Sequence, residues 1–348
     1  MRLHQRLALA VTLLAIVSCG IPSRPVDDVF YLRSAGADMP VWVRGDLSAH
    51  VVIVYIAGGP GGPGMIEEES PAFRRLTEKY VVAFWDQRAS GGTSGGATPD
   101  SLTLEQYATD LDGVVQVLAA RYGNPSIFLL GHSWGGLVGT AYLADPQRQA
   151  RITGWIDVDG LHNMSKSMAL SRQWAMAEAS ARMAQGNDVD RWNGDLAWYA
   201  SHPVIGCADF RHHGEILLAL EPTRHPEKLP AIGSLSLNLV SPFDGMSTLA
   251  NLGLSVGESS KGGSALCKAV FTDLTSSLPN ITIPSLVIWG RFDRGLPVAM
   301  ADEAYALLGS PSGSKSLVIL EDSEHMCLYD ESELFATAVE QFVDANHP

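Results

Sequence analysis

The chain has 348 residues, of which 46% are hydrophobic and 18% charged, and its formal net charge is -14. That composition describes a globular protein and excludes a disordered or fibrous one, and the length allows one α/β core with an inserted subdomain. A nucleic-acid partner is excluded as well, because phosphate binding needs a surplus of Lys and Arg and no basic cluster is present.

Arg2 and Arg6 precede an apolar run, Leu7 to Val17, that is too short for a stable membrane span. The following Ile16-Val17-Ser18-Cys19 resembles the lipobox of bacterial lipoproteins, in which the cysteine is acylated and becomes the first mature residue. The resemblance implies a signal peptide over 1–18, lipid attachment at Cys19 and a linker over 19–28. The protein would then act outside the cytoplasm and meet a bacterial membrane only through its lipid anchor. An ordinary secretory signal is the alternative.

β-rich runs follow at Val29–Leu32 and Val41–Arg44, then Val51–Ile56, which is apolar throughout like a strand covered on both faces. A Gly/Pro-rich turn leads to a helical stretch around Pro71–Tyr80 and a buried strand at Val81–Trp85. Leu102–Tyr122 has helical spacing, with Asp100 or Ser101 to cap it and Gly123 to end it. Strand Ser126–Leu130, helix Trp134–Leu143 and strand Ile152–Val158 come next. This alternation predicts an α/β fold with a mostly parallel sheet and helices on both faces.

The alternation breaks from 161 to 278, where Met/Ala/Trp-rich helical segments and Gly/Pro/Ser loops predict a helical cap. It resumes with Pro284–Trp289, Val298–Leu308, Ser316–Leu320 and Glu331–Val343. The core thus divides into 29–160 and 279–348 around the insertion. In an oxidising compartment Cys207 and Cys267 could pair; two buried free thiols is the other reading. No Cys/His spacing suggests a metal, and His212-His213 reads as a surface pair.

Gly131-His132-Ser133-Trp134-Gly135 fits G-x-S-x-G directly after a strand and before a helix, which is the context that motif requires of a nucleophile. A serine hydroxyl needs a base, and the base an orienting acid, in the chain order Ser, Asp, His. Asp293 follows the penultimate core strand and His325 the last one, so both take those places. Glu321, Asp322 and Glu324 crowd His325 and should favour its protonated form.

The loop Ala57-Gly58-Gly59-Pro60-Gly61-Gly62-Pro63-Gly64 contains a G-x-G-x-x-G, and Asp86 follows a later strand, as in a dinucleotide site. Pro60 and Pro63 lack the N–H groups a pyrophosphate would need, so no NAD-type cofactor is expected. An acyl-transfer site needs two backbone N–H donors for its oxyanion, and Gly59 and Trp134 are the candidates. Asp86 and Arg88 read as a structural ion pair or as a support for this loop.

Gly58-Gly59-Pro60-Gly61-Gly62, Trp85-Asp86-Gln87-Arg88, Gly131-His132-Ser133-Trp134-Gly135-Gly136 and Gly290-Arg291-Phe292-Asp293 together resemble the prolyl iminopeptidase family of α/β hydrolases. The resemblance implies a Ser133–His325–Asp293 triad, an oxyanion hole at Gly59 and Trp134, and cap glutamates that bind a substrate amine. Glu178, Glu215 and Glu221 are the candidates for that last role. Ala57 departs from the family's usual His, and Ala89 from its Gly.

The expected activity is that of a serine hydrolase acting through an acyl-enzyme on a small peptide or ester substrate, with no metal or organic cofactor. An aminopeptidase removing N-terminal proline or another residue comes first, an esterase or other acyl hydrolase second, and a non-catalytic binding lipoprotein third. The cap residues Met164, Met168, Met176, Met183, Trp174, Trp192 and Trp198 could line an apolar pocket, or simply pack the cap onto the core.

Overall fold

Successive residues of a strand point to opposite faces, so a strand that is apolar throughout needs cover on both sides. The computed structural model describes residues 23–229 and 245–347. Strands β1 (Pro25–Ser34), β2 (Ala37–Asp46), β3 (Val51–Ile56), β4 (Val81–Trp85), β5 (Ser94–Gly95), β6 (Ser126–His132), β7 (Gly154–Val158), β8 (Ser285–Gly290) and β9 (Lys315–Leu320) make one sheet. Its order is β1-β2-β4-β3-β6-β7-β8-β9, with β5 paired to β2. From β4 to β9 every pairing is parallel, and β1 and β2 add an antiparallel end.

Val52, Val54 and Ile56 of β3 join the core on one face, and Val51, Ile53 and Tyr55 the core on the other. Helices α2 (Leu104–Tyr122) and α3 (Trp134–Leu143) cover the first face with Leu111, Val115, Leu137 and Val138. Helix α1 (Pro71–Thr77) and the last helix, Ser332–Asn346, cover the second with Phe73, Leu76, Phe335 and Val339. Parallel strands leave their C-terminal ends on one side. The loops after β3, β4, β6, β7, β8 and β9 therefore converge there.

Several boundaries differ from expectation, two of them by a change of role. The linker does not extend to 28: β1 starts at Pro25 and pairs with β2 from its first residue, Pro25 opposite Asp46. Asp28, polar on an edge strand, is held by Arg121 and Tyr122. Helix α2 is capped by Thr103, whose hydroxyl accepts from the Gln106 N–H, and not by Asp100 or Ser101, which lie in a short 3-10 turn. The signal peptide expected over 1–18 and the lipid attachment expected at Cys19 fall outside the described residues. Among those described, no helix is long and apolar enough to cross a membrane.

A short helix α4 (Pro146–Gln149) precedes β7. Between β7 and β8 the described chain is helical, with α5 (Met164–Ala184), α6 (Val189–Ser201), α7 (Phe210–Leu220), α8 (Gly245–Ser260) and α9 (Ala265–Val270). Met168, Ala175, Trp192, Tyr199, Ile216 and Leu220 give α5, α6 and α7 a core of their own. A Cys207–Cys267 disulfide joins the start of this layer's second half to α9, and Cys327 is buried and free.

Arg88 pairs with Asp110 of α2 and not with Asp86; its guanidinium meets both carboxylate oxygens at 2.6 and 2.9 Å, with both side chains fully buried. The pair fastens the loop after β4 to the helix behind it. Removing one partner strands the other charge in the core. We expect Arg88→Met to lower the unfolding free energy by about 3–5 kcal/mol, read from urea denaturation; a loss under about 1 kcal/mol would show that the pair does not hold the loop.

Candidate active site

Ser133 stands between β6 and α3 with φ 57 and ψ -117, a conformation that L-residues rarely adopt. Small neighbours make that turn possible: a Cβ on Gly135 would sit 1.9 Å from the Ile56 carbonyl oxygen. Ser133 occupies the N-cap position of α3 but makes no side-chain cap bond. Its hydroxyl points instead to His325 Nε2 at 2.9 Å. His325 Nδ1 donates in turn to Asp293 Oδ2 at 2.6 Å, and Asp293 Oδ1 accepts from the Leu296 N–H at 2.8 Å. The three residues come from the loops after β6, β9 and β8, so the sheet brings them together from distant parts of the chain.

Gly59 and Trp134 both line the cavity over Ser133. Trp134 opens α3, so its N–H is among those with no acceptor inside the helix. Gly59 has φ 133, and a Cβ there would lie 2.6 Å from the Gly61 nitrogen, so the loop requires glycine at this place.

A second layer holds these parts. His132 Nε2 bonds the His325 carbonyl oxygen at 2.8 Å, which pins the backbone of the histidine loop. Burial, and then the charge of His325, push the His132 imidazole down to about 3, so it stays neutral and Nε2 carries the proton. Gln87 donates to the Ala57 carbonyl and accepts from the Trp134 indole N–H, linking the Gly-rich loop to α3. Asp86 accepts from the Gly64 and Gly92 N–H groups and so supports that loop. Ala89, where the resembled family has Gly, takes φ 53. Sequence reasoning passed over His132 and Gln87, although each sits beside a motif residue it supports.

Asp159, directly after β7, is a second fully buried carboxyl; its Oδ1 accepts from the Gly290 N–H at 2.8 Å. Burial, reinforced by the Asp293 charge, raises it well above the carboxylate range and keeps it neutral. His132, Asp159 and His325 bring metal-ligand atoms within 4.8 Å of one another, but both His325 nitrogens and His132 Nε2 already have partners. For His325, burial opposes protonation, but the Asp293 charge outweighs it; with an ionised Asp159 added, the imidazole would be pushed up to about 9. The carboxylate responsible is Asp293, and not the sequence neighbours Glu321, Asp322 and Glu324; Glu321 is an exposed partner of Arg291.

The proposed amine-binding glutamates are not at the cavity. Glu178 pairs with Arg182, and Glu215 is exposed beside Arg211 and His212. Glu221 is bound by Arg294 at 2.5 Å. Of the cap Met and Trp residues, Met164 and Met168 reach the cavity; Trp174 packs under Arg294, Trp198 stacks on His202, and Trp192 is buried in the cap. His213 is not a surface residue: it is 2% exposed and lines the cavity.

The sheet order and this site can be set against known proteins. A family model described as serine aminopeptidase, S33, matches residues 69–210. The solved structure of VinJ superposes with a TM-score of 0.64 at 18% identity, covering 93% of this chain and 100% of that one. The chain has the α/β-hydrolase fold. A proline iminopeptidase-related protein from Thermus thermophilus gives a TM-score of 0.60 at 20% identity, over 93% of this chain and 99% of that one. By sequence, the protein named "Probable aminopeptidase YbaC" of Bacillus subtilis is 23% identical over 83% of this chain and 87% of its own. A proline iminopeptidase of Saccharolobus solfataricus is 23% identical over 84% of each. Together these make the chain a hydrolase of this fold.

A base must be neutral to accept a proton, so activity that depends on His325 falls as pH drops through its pKa. With Asp159 neutral, one of the two anionic contributions to His325 disappears. The acid limb of kcat/KM should therefore lie above the ordinary histidine value of 6.5 but below about 9. Asp159→Asn should leave the limb in place. A limb that moved down by about one unit in that variant would show Asp159 to be ionised.

Proposed function

We propose that the protein is a serine hydrolase that works through an acyl-enzyme on Ser133. The observation that carries this reading is the unbroken chain from Ser133 Oγ to His325 at 2.9 Å and from His325 to Asp293 at 2.6 Å, opening on a cavity. His325 takes the hydroxyl proton as Ser133 attacks an ester or amide carbonyl, and Asp293 holds the imidazole in the required tautomer. The Trp134 and Gly59 N–H groups face the developing oxyanion. His325 then returns the proton to the leaving group, and water activated by the same imidazole releases the acid.

An aminopeptidase, removing proline or another residue from a peptide's N-terminus, is the second reading. The description of the matching family model and the names of the sequence relatives favour it. It requires an anion for the substrate's ammonium, a place that Glu178, Glu215 and Glu221 do not take among the described residues. Export with a lipid on Cys19 remains our proposal for location, and the Cys207–Cys267 disulfide supports an oxidising compartment.

A fluorophosphonate should label the purified protein at Ser133, and Ser133→Ala should abolish labelling; a folded wild type that the probe leaves untouched would sink the proposal. His325→Ala, and Asp293→Asn through the wrong tautomer, should each lower turnover by about 10⁴. Near-full activity in Asp293→Asn would assign the acid elsewhere. For the anchor, mass spectrometry of the mature N-terminus should find a diacylated or triacylated Cys19, and an unmodified start at another residue would refute it.

A further inference from the structure

The cavity over Ser133 has a volume of about 410 Å³ and is walled largely by the cap. Met164 and Met168 of α5, Phe210, Gly214 and Leu217 of α7 and Val256 of α8 are among the apolar residues that line it. On α7 the wall residues Phe210, His213, Gly214 and Leu217 recur at the spacing of one helical face, so that whole face is turned to the substrate. We propose that this cavity selects an uncharged, apolar acyl group, so that the preferred substrate is an ester or amide of a neutral acyl chain and not of an aminoacyl group bearing a free ammonium. The proposal rests on the acyl-enzyme reading above and specifies its substrate.

Among the described residues, no carboxylate lines the cavity. Apart from Ser133 and His325, the polar side chains of the wall among the described residues are His213 and Ser259, neither of them an anion, and both hydrogen-bond inside the cap. The Ser171 hydroxyl donates to the Arg294 carbonyl at 2.6 Å, so His213 Nε2 donates to Ser171 Oγ at 2.9 Å. Nδ1 then accepts from the Tyr199 hydroxyl at 2.8 Å. This network assigns one neutral tautomer and leaves only ring carbon for the cavity. Burial, with the charges of Arg172 and His212, pushes the imidazole down to about 4 and agrees with that state. Ser259 donates to the Val256 carbonyl. An ammonium placed here would lose its hydration and find no carboxylate among the described residues, whereas a hydrocarbon chain loses nothing. The thioether side chains of Met164 and Met168 can adjust to chains of different shape.

Two features extend the apolar path. Val256 lines the cavity and is 53% exposed, so the apolar wall runs out to the surface. A Cβ on Gly214 would meet nothing within 4 Å, so the wall keeps spare room where a helix interior would ordinarily favour alanine.

The test compares matched substrates on the purified wild type: aminoacyl p-nitrophenyl esters against their N-acetyl counterparts, and p-nitrophenyl acetate against the octanoate. We expect kcat/KM at least about tenfold higher for each N-acetyl ester and for octanoate, a discrimination typical of apolar pockets. Gly214→Leu, which fills the spare room, should cut the octanoate-to-acetate ratio by about tenfold or more, with fluorophosphonate labelling as the check on an intact site. If that variant loses labelling, Gly214→Ala carries the same comparison, with a smaller fall in the ratio. Equal or faster turnover of the free amines, or a ratio that neither variant moves, overturns the proposal. A wild type that is neither labelled nor active overturns the acyl-enzyme reading itself, a result distinct from active enzyme with the opposite preference.

Discussion

The end of β6 and the start of α3 pass so close to β3 that no side chain fits between them. A Cβ on Gly131 would lie 2.5 Å from the Gly135 carbonyl oxygen, and one on Gly135 1.9 Å from that of Ile56. This crowding forces the chain to reverse direction within one residue, and Ser133 absorbs the reversal in its backbone. The register of the sheet completes the site. Gly290, the last residue of β8, pairs with Leu320, the last of β9, so the loops carrying Asp293 and His325 leave the sheet side by side. Cross-links between them, such as the Phe292 N–H on the Ser323 carbonyl, keep them together.

The core could be read from the sequence because its signals are local and redundant. Val51–Ile56, Val81–Trp85 and Trp134–Leu143 have the same limits in the sequence reading and in the structure, since apolar runs and a Gly-rich turn bound them without help from distant residues. The missed boundaries have tertiary causes. Pro25–Asp28 looks like linker because an edge strand can carry acids outward, and its place depends on Arg121 and on β2. Asp159 could not be ranked either. Its neutrality comes from burial and then from Asp293, which is distant in sequence and adjacent only once β7 and β8 are paired.

The cap was legible as helical but not as a surface. A charged residue's sequence position does not show whether it faces a substrate or an arginine, and Glu178 and Glu221 both face arginines. His213 illustrates the opposite error. Beside His212 and Arg211 it looks exposed, yet it falls on the face of α7 that also holds Phe210 and Leu217, and its partners Ser171 and Tyr199 come from two other helices. Counting along the helix from Phe210 would have put it on the buried face.

The disulfide between Cys207 and Cys267 closes a covalent ring that contains α7 and α8, two walls of the cavity, while Ser133, Asp293 and His325 all lie outside it. A protease that cut the chain once between those helices would yield two fragments still joined at sulfur. The nicked protein would run as one band without reductant and as two with it. Its cavity walls would stay tethered on either side of the break.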